Sequence, residues 1–187
     1  MTAEDRMGLV MMHATVSLDG YMADLGGSVD WMNGFPVARE DEEAVQSIVR
    51  QIGAVVFGVK EIQTVHDGEV PYGGSLGVPM FVMTHTAHEA IEKDGTTYTF
   101  VVDDVANAIA SARQAAGDKT VSVLGGAVSR QCLERGLVDL IQLHVVPIIL
   151  GEGISLLSEL SRPVRLERID TSAFAAEVHL RYRVLDT

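Results

Sequence analysis

Short apolar runs alternate with stretches of helical spacing along most of this chain, and the period separates the two. Residues 9–16 are an unbroken strand-like run, too apolar on both faces for an edge, and predict a central strand. Residues 38–52 place Ala44, Val45, Ile48, Val49 and Ile52 on one stripe. Acids stand in front, Arg50 behind and Gly53 after, which predicts a helix. Strands follow at 54–57, 80–83 and 96–102, with a short helix starting at 59–62. Val105, Ala108, Ile109, Ala112 and Ala116 stripe a helix capped by Asp103 or Asp104 and stopped at Gly117. Residues 121–124 form a strand, and Val128, Cys132 and Leu133 mark the face of a helix ending at Gly136. Residues 138–146 are a strand closed by Pro147. Residues 164–171 and 175–185 lack helical spacing, and the last sets Val178, Leu180, Tyr182 and Val184 against polar residues. Residues 19–36 and 66–78, rich in glycine and proline, read as loops.

Strands alternating with helices, then a run of strands, predict an α/β fold. Its mixed, mostly parallel central sheet is covered on both faces and gains antiparallel strands from the C-terminal part. Ligands of such sheets collect at the carboxyl ends of the strands. Asp19, Gly58, Thr84 and Gly125 each follow a predicted strand, so all four could line one crevice.

The junction at Gly125-Gly126 carries the most chemistry. Glycine lets the backbone approach a ligand closely and offers no side-chain oxygen to cap the following helix. The first N–H groups then stay free for an anion, aided by the helix dipole. A phosphate seat and a plain tight turn both fit this pattern.

Composition narrows the classes. The 187 residues, 47% hydrophobic, are enough for one domain with a sizeable core. No apolar run reaches a membrane span, and residues 1–6 are polar and acidic where a signal peptide is basic, so the expected location is cytoplasmic. A net charge of −12 argues against nucleic acid or an anionic membrane as partner. An anionic cofactor must therefore be held by local groups. Part of the negative charge reads as structural, since Glu40, Asp41, Glu42 and Glu43 fall in the first turns of a helix. The single cysteine, Cys132, lies on an apolar helix face and reads as a core thiol.

Other polar residues keep two readings. Asp19 is a proton donor or substrate anchor, or a turn residue in Asp19-Gly20. Trp31 stacks on a planar heterocycle or pins its own loop. Glu152, between two glycines, contacts substrate or is an exposed turn acid. His85 and His88 lack a nearby third ligand, so no metal site is expected. His13 and His144, inside strands, read as hydrogen-bonded sheet residues.

The motifs at 17–21 (Ser17, Leu18, Asp19, Gly20, Tyr21), 55–58, 81–85, 123–127, 136–139 and 143–151 occur in an order and spacing that resembles the dihydrofolate-reductase-like family. The branch resembled is the reductase domain of the riboflavin-biosynthesis deaminase-reductase. The resemblance implies a three-layer αβα reductase-type domain that binds NADPH along the sheet's carboxyl edge and pairs as a homodimer. Carried over, Gly125, Gly126, Ala127 and Val128 would take the pyrophosphate, and Thr84 and His85 the adenosine and its 2′-phosphate. Gly58 would open a second phosphate-facing helix. Asp19, as the catalytic residue, and Ser17 and Gly20 would border the nicotinamide and substrate, with Trp31 above and Gly151 and Glu152 across the crevice. The family usually follows the glycine at position 58 with an arginine. Here Val59, Lys60 and Glu61 stand there, so Lys60 is the local cation and NADH remains an alternative to NADPH. One cysteine cannot supply the pair that a deaminase zinc site needs, so no deamination is expected. The implied function is hydride transfer to a small polar heterocyclic or sugar-bearing substrate of pyrimidine or pteridine type. The alternatives are a nucleotide-binding dimeric module with little turnover and a structural homodimer.

Overall fold

The computed structural model describes residues 8–36, 38–59, 63–67, 70–74, 76–102, 104–157 and 159–185. Its centre is β1 (Val10–Ser17), parallel to both neighbours, β7 (Thr120–Val123) and β8 (Leu140–Val146). Met11 enters one hydrophobic cluster while Val10 and Met12 enter the other, which is why residues 9–16 show no polar alternation. Beyond β7 the sheet continues in parallel through β3 (Ile52–Gly58), β4 (Met80–Met83) and β6 (Thr96–Val101). On the other side, β11 (Val178–Val184) pairs antiparallel with β8, and β10 (Leu166–Ala173) antiparallel with β11. The mixed, mostly parallel sheet expected from the sequence is therefore present.

Both faces are covered. Helices α3 (Val105–Ala116) and α4 (Gly126–Glu134) pack on the face of Val10, Met12 and Val56; Ile48 of α1 (Arg39–Val49) and Val65 of α2 (Gln63–Asp67) pack on the face of Met11, Val55 and Phe57. The α3 stripe Val105, Ala108, Ile109, Ala112 and Ala116 is buried throughout, and the Asp104 side chain caps it by accepting from the Ala106 amide at 2.8 Å. Among the described residues no helix is long and apolar enough to cross a membrane.

Several elements differ from the expectation. Helix α1 ends at Val49, because Ile52 already pairs with Thr120 in the sheet. Gly53 is thus a strand residue, placed where a Cβ would meet the Ala116 carbonyl at 2.8 Å. Strand β5 (Ile91–Lys93) pairs antiparallel with β6 across Asp94-Gly95, both at positive φ (50° and 76°), a turn type that this dipeptide favours. The stretch 19–36, read as one loop, contains β2 (Tyr21–Ala23), which pairs with β9 (Ile154–Ser155) in a separate ribbon, and a 3-10 turn at Asp30–Met32. Pairing partners this short and this far apart leave no periodic trace. Of the helix start expected at 59–62, residues 60–62 lie outside the described residues.

Candidate functional site

The chain leaves β3 toward β4 on one side and leaves β7, through α4, toward β8 on the other. Connections that diverge in this way open a crevice at the strands' carboxyl ends. A cleft of about 550 Å³ lies there. Gly58 and Val59 from the end of β3, Met83, Thr84 and His85 from β4, and Val102 from β6 line one part. Gly125, Gly126, Ala127, Val128 and Gln131 of the α4 start line another, and Met22 and Ile154 of the ribbon complete it. Seven of the eight residues assigned to cofactor binding from the sequence are therefore brought together. The eighth, Lys60, lies outside the described residues.

Helix α4 begins without a side-chain cap, after Gly125 at φ 87°, ψ 136°. Only glycine adopts that conformation at low cost. Its first-turn donors have no partners within the helix, and the positive end of the dipole lies among residues that line the cleft. Close packing fixes this start in place: a Cβ on Gly58 would come within 3.0 Å of Val128 Cγ2.

Asp19 has a different setting. Its Oδ1 accepts from the Ser17 hydroxyl at 2.6 Å and the Leu150 amide at 3.1 Å, and its Oδ2 from the Gly151 amide at 2.8 Å. The Ser17 Oγ in turn accepts from the Tyr21 amide at 2.9 Å, and the Gly20 carbonyl from the Leu156 amide at 3.1 Å. The Ser17 hydroxyl, first, and then the Gly151 and Leu150 amides outweigh desolvation and hold the Asp19 carboxyl below its usual range. A carboxylate so held is a poor proton donor near neutrality, and it is not among the residues lining the cleft. These bonds form a knot that ties the end of β1 to the 150–151 turn. Ser17, Gly20 and Gly151 belong to that knot. Trp31, half-buried on the 3-10 turn, has a buried indole N–H with no hydrogen-bond partner among the described residues, and Glu152 is exposed.

The sequence reading missed a second polar constellation. A line of side chains crosses the sheet beneath α1: Ser122, Tyr72, His13, His144, His179 and Asp41. Tyr72 Oη lies 3.1 Å from Ser122 Oγ and 2.6 Å from His13 Nδ1. His13 and His144 meet through their Nε2 atoms at 2.8 Å, and His144 and His179 through their Nδ1 atoms at 2.5 Å. His179 Nε2 reaches Asp41 Oδ1 at 2.9 Å. His144 and His179 are 1% and 3% exposed, Asp41 2%. Burial drives His13 down to about 4; burial, with its two histidine neighbours, drives His144 down to about 3. Both are neutral at pH 7. Burial raises the Asp41 carboxyl, but His179 and the Ala38 and Ala175 amides outweigh it and keep the group below its usual range.

An ionised Asp41 only accepts, so proton bookkeeping gives His179 its N–H at Nε2, His144 at Nδ1 and His13 at Nε2, with Tyr72 donating to His13. One carboxylate sets every tautomer in the line. His13 and His144 are thus hydrogen-bonded sheet residues, as expected. The acidic run at 40–43 opens helix α1, as expected, and Asp41 within it is buried. Nothing in the sequence pairs His144 with His179; that pairing follows from the antiparallel register of β8 and β11.

The fold has known counterparts. The structure resembles that of a putative riboflavin biosynthesis protein from Shewanella, with a TM-score of 0.74 at 22% identity over 95% of this chain and 99% of that one. It also resembles a dihydrofolate reductase from Enterococcus faecalis, with a TM-score of 0.63 at 14% identity over 96% and 98%. In sequence, the uncharacterised Bacillus subtilis protein YwjB is 23% identical over 175 residues, 92% of this chain and 95% of its own. Residues 9–180, from the first residue before β1 into β11, match the model of the RibD C-terminal domain, and the chain belongs to that family.

Proposed function

We propose that the cleft between β3 and β7 seats a reduced nicotinamide dinucleotide, NADPH with NADH as the alternative. On this reading the chain is a cytoplasmic, homodimeric reductase of one domain, acting on a small polar heterocyclic or sugar-bearing substrate of pyrimidine or pteridine type. The carrying observation is the uncapped start of α4, which shares one cleft with Gly58, Thr84 and His85. The similar dihydrofolate reductase was solved with NADP(H), which supports the choice of ligand.

When bound, the nicotinamide supplies the hydride. The amides of Gly126, Ala127 and Val128 hold the pyrophosphate at the positive end of α4. Thr84 and His85 hold the adenosine side, with Lys60 as a second cation. The Asp19 knot positions Gly20 and the 150–151 turn at the substrate end; Asp19 is a positioning residue. Titration of the protein with NADPH and NADH, followed by calorimetry and by Trp31 fluorescence, is expected to saturate at one equivalent per chain. No saturation with either dinucleotide overturns the reading.

One observation favours the module with little turnover. His85 is the one titratable side chain among the described residues lining the cleft, and no carboxyl lines it. Saturable binding without NADPH oxidation across a panel of pyrimidine, pteridine and sugar-phosphate compounds would select that module.

A further inference from the structure

Outside the dinucleotide cleft, two imidazole nitrogens and a carboxylate converge at the edge of a second cavity. His144 and His179 are cross-strand partners in β8 and β11, so their rings share one face of the sheet. Glu177, two residues before His179, joins them: one ligating atom from each of the three residues lies within 4.8 Å of the other two. Glu177 also lines a cleft of about 370 Å³ with Asp41, Glu42, Val45 and Gln46.

We propose that His144 Nδ1, His179 Nδ1 and the Glu177 carboxylate form a binding site for a divalent transition-metal ion of the zinc type, with water completing the coordination on the cleft side. Two histidines and one carboxylate with an open position are a set that zinc accepts. The outer contacts that such a site needs are already present. The other nitrogen of His179 donates to Asp41 at 2.9 Å, a carboxylate–histidine pair that orients the ring and raises its basicity. The other nitrogen of His144 is fixed by His13 at 2.8 Å. The acidic cleft provides an entry path, with no lysine or arginine among the described residues that line it.

The two Nδ1 atoms now share one proton at 2.5 Å. Zinc–nitrogen bonds of about 2.0–2.1 Å at a tetrahedral angle need them roughly 3.3 Å apart, so binding requires the two rings to turn away from each other. With a cation between them, His144 carries its proton on Nε2 and donates to His13. His13 then carries its proton on Nδ1 and donates to Tyr72. Metal binding thus reverses the His144–His13–Tyr72 hydrogen bonds without changing the number of protons on the three imidazoles.

The full chain, stripped with a chelator, is titrated with zinc chloride by calorimetry and with cobalt chloride by visible absorption. One equivalent is expected to bind, with cobalt bands of four- or five-coordinate character. Imidazole nitrogen NMR should report the tautomer exchange at His144 and His13. Glu177→Gln should weaken binding at least tenfold, Asp41→Asn about ten- to a hundredfold, and His66→Ala not at all. His179→Ala should abolish binding but also hollows a buried site. Glu177→Gln, at a half-buried position, keeps the test independent of folding. No binding by the wild type, or equal binding by wild type and Glu177→Gln, overturns the proposal and leaves the two nitrogens sharing a proton in a structural line.

Discussion

Gly126 lies so close to Ser155 that a Cβ on it would come within 2.7 Å of the Ser155 carbonyl oxygen. The start of α4 is therefore packed against the ribbon strand that delivers Ile154 to the cleft. Gly126→Ala pushes a methyl against backbone that has little room to give. It is expected to cost about 1–3 kcal/mol of stability and to weaken dinucleotide binding by displacing Ile154. Urea unfolding and calorimetry measure the two effects; full stability in the mutant would show that the ribbon yields freely.

Ala127, exposed at the next position, separates packing from electrostatics. Ala127→Asp places a carboxylate at the proposed anion seat while favouring the helix dipole, so the fold should hold. Dinucleotide affinity is expected to fall tenfold or more, with an unchanged melting temperature. Wild-type affinity would show that the α4 start holds no phosphate.

The Asp19 knot makes stability depend on pH with a definite sign. A carboxyl held below its ordinary value stabilises the fold fully above the unfolded pKa, and loses that contribution as pH falls through the folded one. Asp19→Asn cannot accept all three hydrogen bonds in the same way. Wild type should melt above Asp19→Asn at pH 7, and the gap should close as the solution is acidified through the aspartate range. A gap constant with pH would mean that the charge on Asp19 contributes nothing.

On the proposed reading, His85 is the residue that would let an acidic chain distinguish the two dinucleotides. Imidazolium grips a phosphate far more strongly than neutral imidazole, and histidine changes charge within the range pH 5 to 8. The NADPH-to-NADH affinity ratio is expected to be larger at pH 6 than at pH 8, and His85→Ala should flatten the difference. A flat wild-type ratio would remove His85 as the charged discriminator.

Cys132 is wholly buried, and burial pushes its thiol up to about 12. The folded protein should resist a thiol reagent at pH 8 and react with one equivalent once unfolded in urea. Rapid labelling of the folded chain would mean that α4 opens readily.

Local pattern by itself determined most of the elements and the place of the cleft. The α3 stripe, the run in β1 and the glycine pair before α4 are consequences of period and backbone freedom. Strands of a parallel sheet all present their carboxyl ends to one edge, so Asp19, Gly58, Thr84 and Gly125 could be gathered before any coordinates, and all but Asp19 line the cleft. Tertiary structure decided what no window of sequence contains. Asp19 faces Leu150 and Gly151 across more than a hundred residues, and accepts hydrogen bonds from both of their amides. Asp41 read as one of four acids in the first turns of a helix, yet the packing of α1 over β11 buries it on His179. The triad of His144, His179 and Glu177 exists only in the register of β8 against β11. A one-residue slip would send alternate side chains to the opposite face. Period is a property of neighbours in the chain; register is set by the whole sheet.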